Sequence, residues 1–145
     1  MEKMEEYGLI SKDQAKQMQP LVLAMVGDGV QTLFVRKVIA LKFGVKVNKM
    51  NKMVSSVVSA GAQFETFKKI EPSLYEDEQD IARRARNTHI HTKAKNFSFN
   101  EYIHATALEA LFGYLYLTGQ NERLNEFLNI SVQSLTVEEK RKLSK

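Results

Sequence analysis

The sequence predicts an all-α protein, and three observations predict it. The chain of 145 residues holds only 7 glycines and 2 prolines, too few to punctuate many short strands. Apolar residues recur at threes and fours through its long segments, the spacing of one helix face. Alternating strand patterns are nearly absent, and Val45-Lys46-Val47 is too short to make one. Hydrophobic residues make up 43% and charged residues 26%, which suffices for one core and one domain.

Taken in order, residues 1–19 are polar and read as a loosely held lead-in. Pro20 suits the first turn of a helix, whose apolar pattern runs to about Phe43, with Gly44 as its stop. A second helix is expected from about Lys49 to Ile70, on the spacing of Met50, Met53, Val54, Val57, Val58 and Phe64. Pro72 ends it. A third helix, from about Ser73 to Ala85, begins with acids and ends with arginines, which suits the helix dipole. Residues 87–97 have no period and read as a loop. Ser98 and Glu101 form a capping-box pattern that opens a long helix to about Leu117, closed near Gly119. A last helix covers about Asn121 to Leu135, and residues 136–145 form a charged tail. The expected organisation is a lead-in at 1–19, one domain at 20–135 and the tail at 136–145.

Composition removes several classes of function. There is no cysteine, so neither a disulfide framework nor a thiolate metal site is available. Residues Met1 to Glu6 are charged and lack the apolar core of a secretory signal. No apolar run approaches the roughly 18 to 20 residues that span a bilayer, so the expectation is a cytoplasmic protein without membrane contact. A net charge of +4 says little, but its distribution says more. No acid lies between Asp28 and Glu65, where Arg36, Lys37, Lys42, Lys46, Lys49 and Lys52 fall. Arg83, Arg84, Arg86, Lys93 and Lys95 form a second basic stretch, while acids gather at Glu71, Glu76, Asp77, Glu78 and Asp80. Such segregation fits a face for a polyanion, and equally a pair of solvated helix faces.

The most informative feature is a pair of exceptions. In the sixteen residues from Pro20 to Val35, Asp28 alone is charged; in the thirteen from Ala105 to Leu117, Glu109 alone is charged. A helix apolar on nearly all sides belongs in a core. A lone carboxylate buried there costs several kcal/mol unless it is compensated. Neither helix offers a base near its acid, which leaves a bound hard cation as compensation, with the two acids facing each other. Gly27 and Gly29 flank Asp28, each costing about 1 kcal/mol of helix stability relative to alanine. Both become intelligible if a backbone or a ligand must come close. On the second helix, Tyr102, Thr106, Glu109, Gly113 and Tyr116 share one face. A hydrogen-bonded core acid, or an acid on a misjudged surface face, remains the alternative for each carboxylate.

At these residues the chain resembles the ribonuclease III catalytic domain. Gly27-Asp28-Gly29-Val30, with Leu33 and Val35-Arg36, is similar to that family's Gly-Asp-Ala-Val signature. The likeness is nearer to mini-ribonuclease III, the short bacterial form without a double-stranded-RNA-binding domain, whose pattern is met from Leu23-Ala24 through Arg36. Arg83-Arg84-Ala85-Arg86-Asn87, then Lys95-Asn96, Tyr102, Ala105-Thr106, Glu109-Ala110-Leu111 and Gly113-Tyr114-Leu115 follow in the same order and at compatible spacing. The resemblance covers about residues 20–128. It implies a ribonuclease III-like bundle of about five to seven helices, an obligatory Mg²⁺ (with Mn²⁺ as a substitute) and no small-molecule cofactor. It further implies a homodimer that cuts double-stranded RNA, in the family's role of maturing the precursor of large-subunit (23S) ribosomal RNA.

Carried over position by position, Asp28 and Glu109 are expected to be the catalytic, metal-binding residues. Arg36, Arg83, Arg84, Arg86, Asn87, Lys93, Lys95 and Asn96 are expected to contact RNA, whose duplex is read mainly by shape, phosphates and 2′-hydroxyls. The two asparagines could equally cap helices. Two departures stand out. The full-length enzymes have an acid four residues before the aspartate and another three before the glutamate, where this chain has Ala24 and Thr106. The short form shares that reduced set. A non-catalytic helical module that binds double-stranded RNA is therefore the rival expectation. A carboxylate di-iron bundle calls for a pair of Glu-x-x-His motifs, which the chain lacks. His89-x-His91 has too few companions for a zinc site.

Overall fold

Ser98–Leu117 is the central segment, on which most of the other helices pack. All ten residues Ala105–Leu108 and Ala110–Leu115 are buried, on every side of the helix, as its unbroken apolar sequence requires. The computed structural model describes residues 7–88 and 98–135. In chain order its helices are α1 (Lys12–Gln17), α2 (Pro20–Lys42), α3 (Val47–Val58), α4 (Ala60–Ile70), α5 (Glu76–Asn87), α6 (Ser98–Leu117) and α7 (Asn121–Ser131). A 3-10 turn at Glu71–Ser73 links α4 to α5. No strand occurs among the described residues, in keeping with the all-α expectation. The central helix α6 packs most extensively on α2, then on α4 and α5.

Two glycines decide how closely α2 and α6 approach. A Cβ on Gly27 would run into the backbone carbonyl of Glu109, and one on Gly113 into that of Leu23. The helices therefore cross in direct backbone contact, antiparallel, and the close approach expected at Gly27 is that of another backbone. Gly29 has open space around it and no such reason.

Most boundaries follow the local signals. Pro20 starts α2 at its first turn. Gly44 and Gly119 take the left-handed backbone (φ 55° and 71°) that ends α2 and α6. Two expectations change. The single helix over 49–70 is two helices, because Ser59 is extended (φ −62°, ψ 153°) and accepts a hydrogen bond from the Ala62 amide. Its hydroxyl supplies the bond that a continuing helix would have made. Within the lead-in, Ser11 and Gln14 form a capping box that opens α1, and Ala15 is fully buried in the core. The expected tail at 136–145 lies outside the described residues.

Helix α2 does not sit wholly inside. Met25, Leu33 and Leu41 are 78%, 70% and 75% exposed, and Val22 is 46% exposed. Their spacing puts Val22, Met25 and Leu33 on one stripe of the helix, with Leu41 further round it. The acid cluster of α5 also divides: Glu78 is fully buried and held by Arg123 through two bonds of 2.8 and 2.9 Å. That guanidinium lies between the rings of Tyr75 and Phe127, and it ties α5 to α7.

Candidate active site

The glycine contact brings the two isolated acids together. Gly27 rests on the Glu109 backbone, so its neighbour Asp28 emerges from α2 beside the Glu109 side chain of α6. The two carboxyls interact, and the nearby charge of Asp28 disfavours ionisation of Glu109. The Glu109 carboxyl is pushed up to about 7, first by burial, then by the hydrogen bond to Asp28 and by the charge of Asp28. Among the described residues no lysine or arginine forms an ion pair with either acid. One part of the expectation is corrected. Glu109 is half-buried, but Asp28 is exposed in the single chain, because the face of α2 that carries it turns outward.

Two residues that the sequence reading passed over stand behind the pair. Gln31 (fully buried) and Gln63 (3% exposed) join α2 to α4, with Gln63 Nε2 donating to Gln31 Oε1 at 2.8 Å. The Gln63 side chain also acts on the Glu109 carboxyl and pulls its pKa back down. Gln31 was legible in part: it lies one helical turn beyond Asp28, a polar residue within an apolar run. Gln63 was not, since nothing in the sequence brings α4 to the acids.

The chemistry of this donor set suits a hard divalent cation. Two carboxylates with no neutralising base beside them among the described residues offer oxygen ligands and an excess of negative charge. No group of three His, Cys, Asp or Glu residues assembles among the described residues. One Glu-x-x-His spacing exists, Glu101 to His104, but the His104 ring packs against Phe64 and Phe67 and its Nδ1 bonds the Asn100 carbonyl at 2.7 Å. On the shared face of α6, Tyr102 and Tyr116 are about half exposed on either side of Glu109. Thr106 bonds back to the Tyr102 carbonyl.

The basic residues separate into groups. Arg36 is exposed on α2, eight residues beyond Asp28. Arg83 is exposed and paired with Asp80; Arg84 donates to the Lys16 carbonyl at 2.7 Å. Arg86 reaches Glu71 at 3.7 Å and lies over the Phe67 ring. Asn87 is the exposed last residue of α5. Arg83 and Arg86 line a groove of about 920 Å³ with Lys12, Lys16, Asp77 and Asp80, and neither Asp28 nor Glu109 belongs to it. Arg84 and Arg86 thus have packing roles of their own. Lys93, Lys95 and Asn96, like His89 and His91, lie outside the described residues.

A family model described as Ribonuclease III domain matches residues 21–120. A mini-ribonuclease 3 from Thermoanaerobacter sp. is 42% identical over 130 residues, covering 90% of this chain and 92% of that protein. One from Staphylococcus aureus is 42% identical over 116 residues, covering 79% and 87%. Among solved structures, a crystal structure of protein FN1578 from Fusobacterium nucleatum aligns with a TM-score of 0.73 at 36% identity, covering 81% of this chain and 94% of that one. No helix among the described residues is long and apolar enough to cross a membrane.

Proposed function

The chain belongs to the ribonuclease III domain family, and from that membership we propose that it is an endoribonuclease in which Asp28 and Glu109 together hold a divalent cation and cleave double-stranded RNA. The observation that carries this reading is the interaction between the two carboxyls, with no base to neutralise them among the described residues. Repulsion between adjacent carboxylates is relieved either by a shared proton or by a cation, and only the second leaves both groups anionic at neutral pH. Mg²⁺ is the proposed ion, with Mn²⁺ as substitute. When bound, it supplies the Lewis acidity that offsets negative charge building on the scissile phosphate.

The rest falls to the chain. Asp28 and Glu109 orient the cation from two helices locked in backbone contact, so their separation is set by the crossing at Gly27 and Gly113. To hold a cation, Glu109 would act in its deprotonated form. Arg36, Arg83, Arg84, Arg86 and Asn87, with Lys93, Lys95 and Asn96, are proposed to meet the sugar-phosphate backbone, where cations supply most of the affinity. The exposed stripe of Val22, Met25 and Leu33 supports a homodimer, since burying such a stripe against its own copy removes it from water. The proposed natural substrate is precursor ribosomal RNA of the large subunit, in the cytoplasm.

Purified chain incubated with duplex RNA tests the reading. Cleavage is expected in Mg²⁺ and absent in EDTA. Glu109→Gln should abolish cutting, a loss of at least about 10³-fold, while duplex binding persists. Binding without any metal-dependent product from the native chain would favour the non-catalytic module, for which Ala24 and Thr106 in place of acids speak.

A further inference from the structure

We propose that Gln63, itself oriented by Gln31, is a positioning residue that presents the Glu109 carboxyl to the cation. The inference rests on the reading of Asp28 and Glu109 as the cation site. Both glutamines are buried, on separate helices, amid apolar neighbours such as Val35 and Phe67. Burying an amide is costly unless its polar atoms are paired. Yet this pair is incompletely satisfied: Gln31 Nε2 has no partner among the described atoms. A buried donor left unmet is destabilising, and two apolar residues of similar shape would avoid the penalty. Packing alone gives no reason to keep the amides.

The site supplies a reason. An amide can present either its N–H₂ or its carbonyl edge, and only the first attracts a carboxylate. Gln31 Oε1 accepts from Gln63 Nε2 at 2.8 Å, so the N–H₂ edge of Gln63 faces Gln31. That amide has a second hydrogen, which suits the Glu109 carboxyl. A flipped Gln63 amide would set its one carbonyl oxygen against Gln31 Oε1 and against the carboxylate. The chain Gln31–Gln63–Glu109 therefore holds one Glu109 oxygen from α4 and leaves the other for the cation beside Asp28. Partners of this kind behind a metal ligand typically alter metal affinity by roughly 10- to 100-fold when removed.

The test uses the full chain carrying Gln31→Met and Gln63→Met together, which removes both amides and strands neither. Mn²⁺ binding is followed by electron paramagnetic resonance without RNA, beside the Mg²⁺ concentration that half-saturates duplex cleavage and the thermal midpoint. The double variant should melt near the native midpoint, bind Mn²⁺ about tenfold or more weakly, and need correspondingly more Mg²⁺. A merely structural role would move the midpoint and leave metal affinity alone. Native Mn²⁺ affinity in the folded double variant overturns the proposal. If the double variant fails to fold, Gln31→Met alone decides, because it frees the Gln63 amide to turn: weaker Mn²⁺ binding supports the proposal and native affinity overturns it. Native Mn²⁺ binding that survives Glu109→Gln is a different result, and it overturns the cation-site reading itself.

Discussion

Glu109 is an acid whose surroundings favour its proton. Burial is the first cause and Asp28 the second, and together they lift its pKa from 4.5 to about 7. The folded chain therefore binds this proton more tightly than the unfolded chain does. The stabilisation is complete below about pH 4.5 and is lost as the pH rises toward 7. In EDTA the native chain should weaken across that interval, while Glu109→Gln, which has no proton to lose, should not. Going from pH 5 to pH 8, the variant should gain about 1–2 kcal/mol on the native chain in urea unfolding, allowing for solvent screening of a partly exposed group. Millimolar Mg²⁺ should close the gap at pH 8, because it stabilises only the chain that keeps both acids. A gap that is constant with pH would mean that Glu109 and Asp28 do not interact. That these two acids stand out was legible in the sequence, since each is the sole charge in a long apolar run. That Asp28 is exposed was not, because helical periodicity cannot tell a core face from an outward apolar one.

At the scale of the element, the α2–α6 crossing governs the site. Gly27 and Gly29 look alike in the sequence, one on each side of Asp28, but only Gly27 touches α6. Gly29→Ala should stabilise the chain by about 0.5–1 kcal/mol, the helix-propensity difference in open space. Gly27→Ala should cost at least about 2 kcal/mol, since a methyl group there must push the two backbones apart. It should also weaken cleavage out of proportion to its effect on stability, because the acids part with the helices. Equal effects of the two substitutions in urea unfolding would contradict the crossing. The ends of α2 and α6 were readable because proline and glycine act locally. The break at Ser59 was hidden, since serine is tolerated within helices and the apolar spacing runs on through both α3 and α4. Helix α1 was hidden as well: its single buried side chain is Ala15, which gives no periodic signal.

For the whole molecule, the open question of composition is the outward stripe on α2. Met25 and Leu33 are too exposed for the helix of an isolated chain and are correctly spaced for a partner helix. Leu33→Glu should halve the molar mass measured by light scattering and abolish cutting of both strands of a duplex, with the fold preserved by circular dichroism. A native chain that is monomeric at micromolar concentration would remove the homodimer. The same stripe explains why α2 read as a core helix. Its hydrophobicity is accounted for in part by α6 and in part by a surface that the single chain leaves open.

By itself the sequence determined the helical class, the ends set by Pro20, Gly44 and Gly119, the two acids that stand out from their surroundings, and the motif order that marks the family. These are local or pattern properties, carried by backbone preference and by the cost of placing charge among apolar residues. Tertiary structure alone decided that Gly27 and not Gly29 is the contact, that burial and Asp28 raise the pKa of Glu109, that Gln63 acts on it from a third helix, and that Arg84 and Arg86 are tied to the body of the protein. Each of these depends on which residues distant in sequence meet in space, and that is settled by how close two helices can pack.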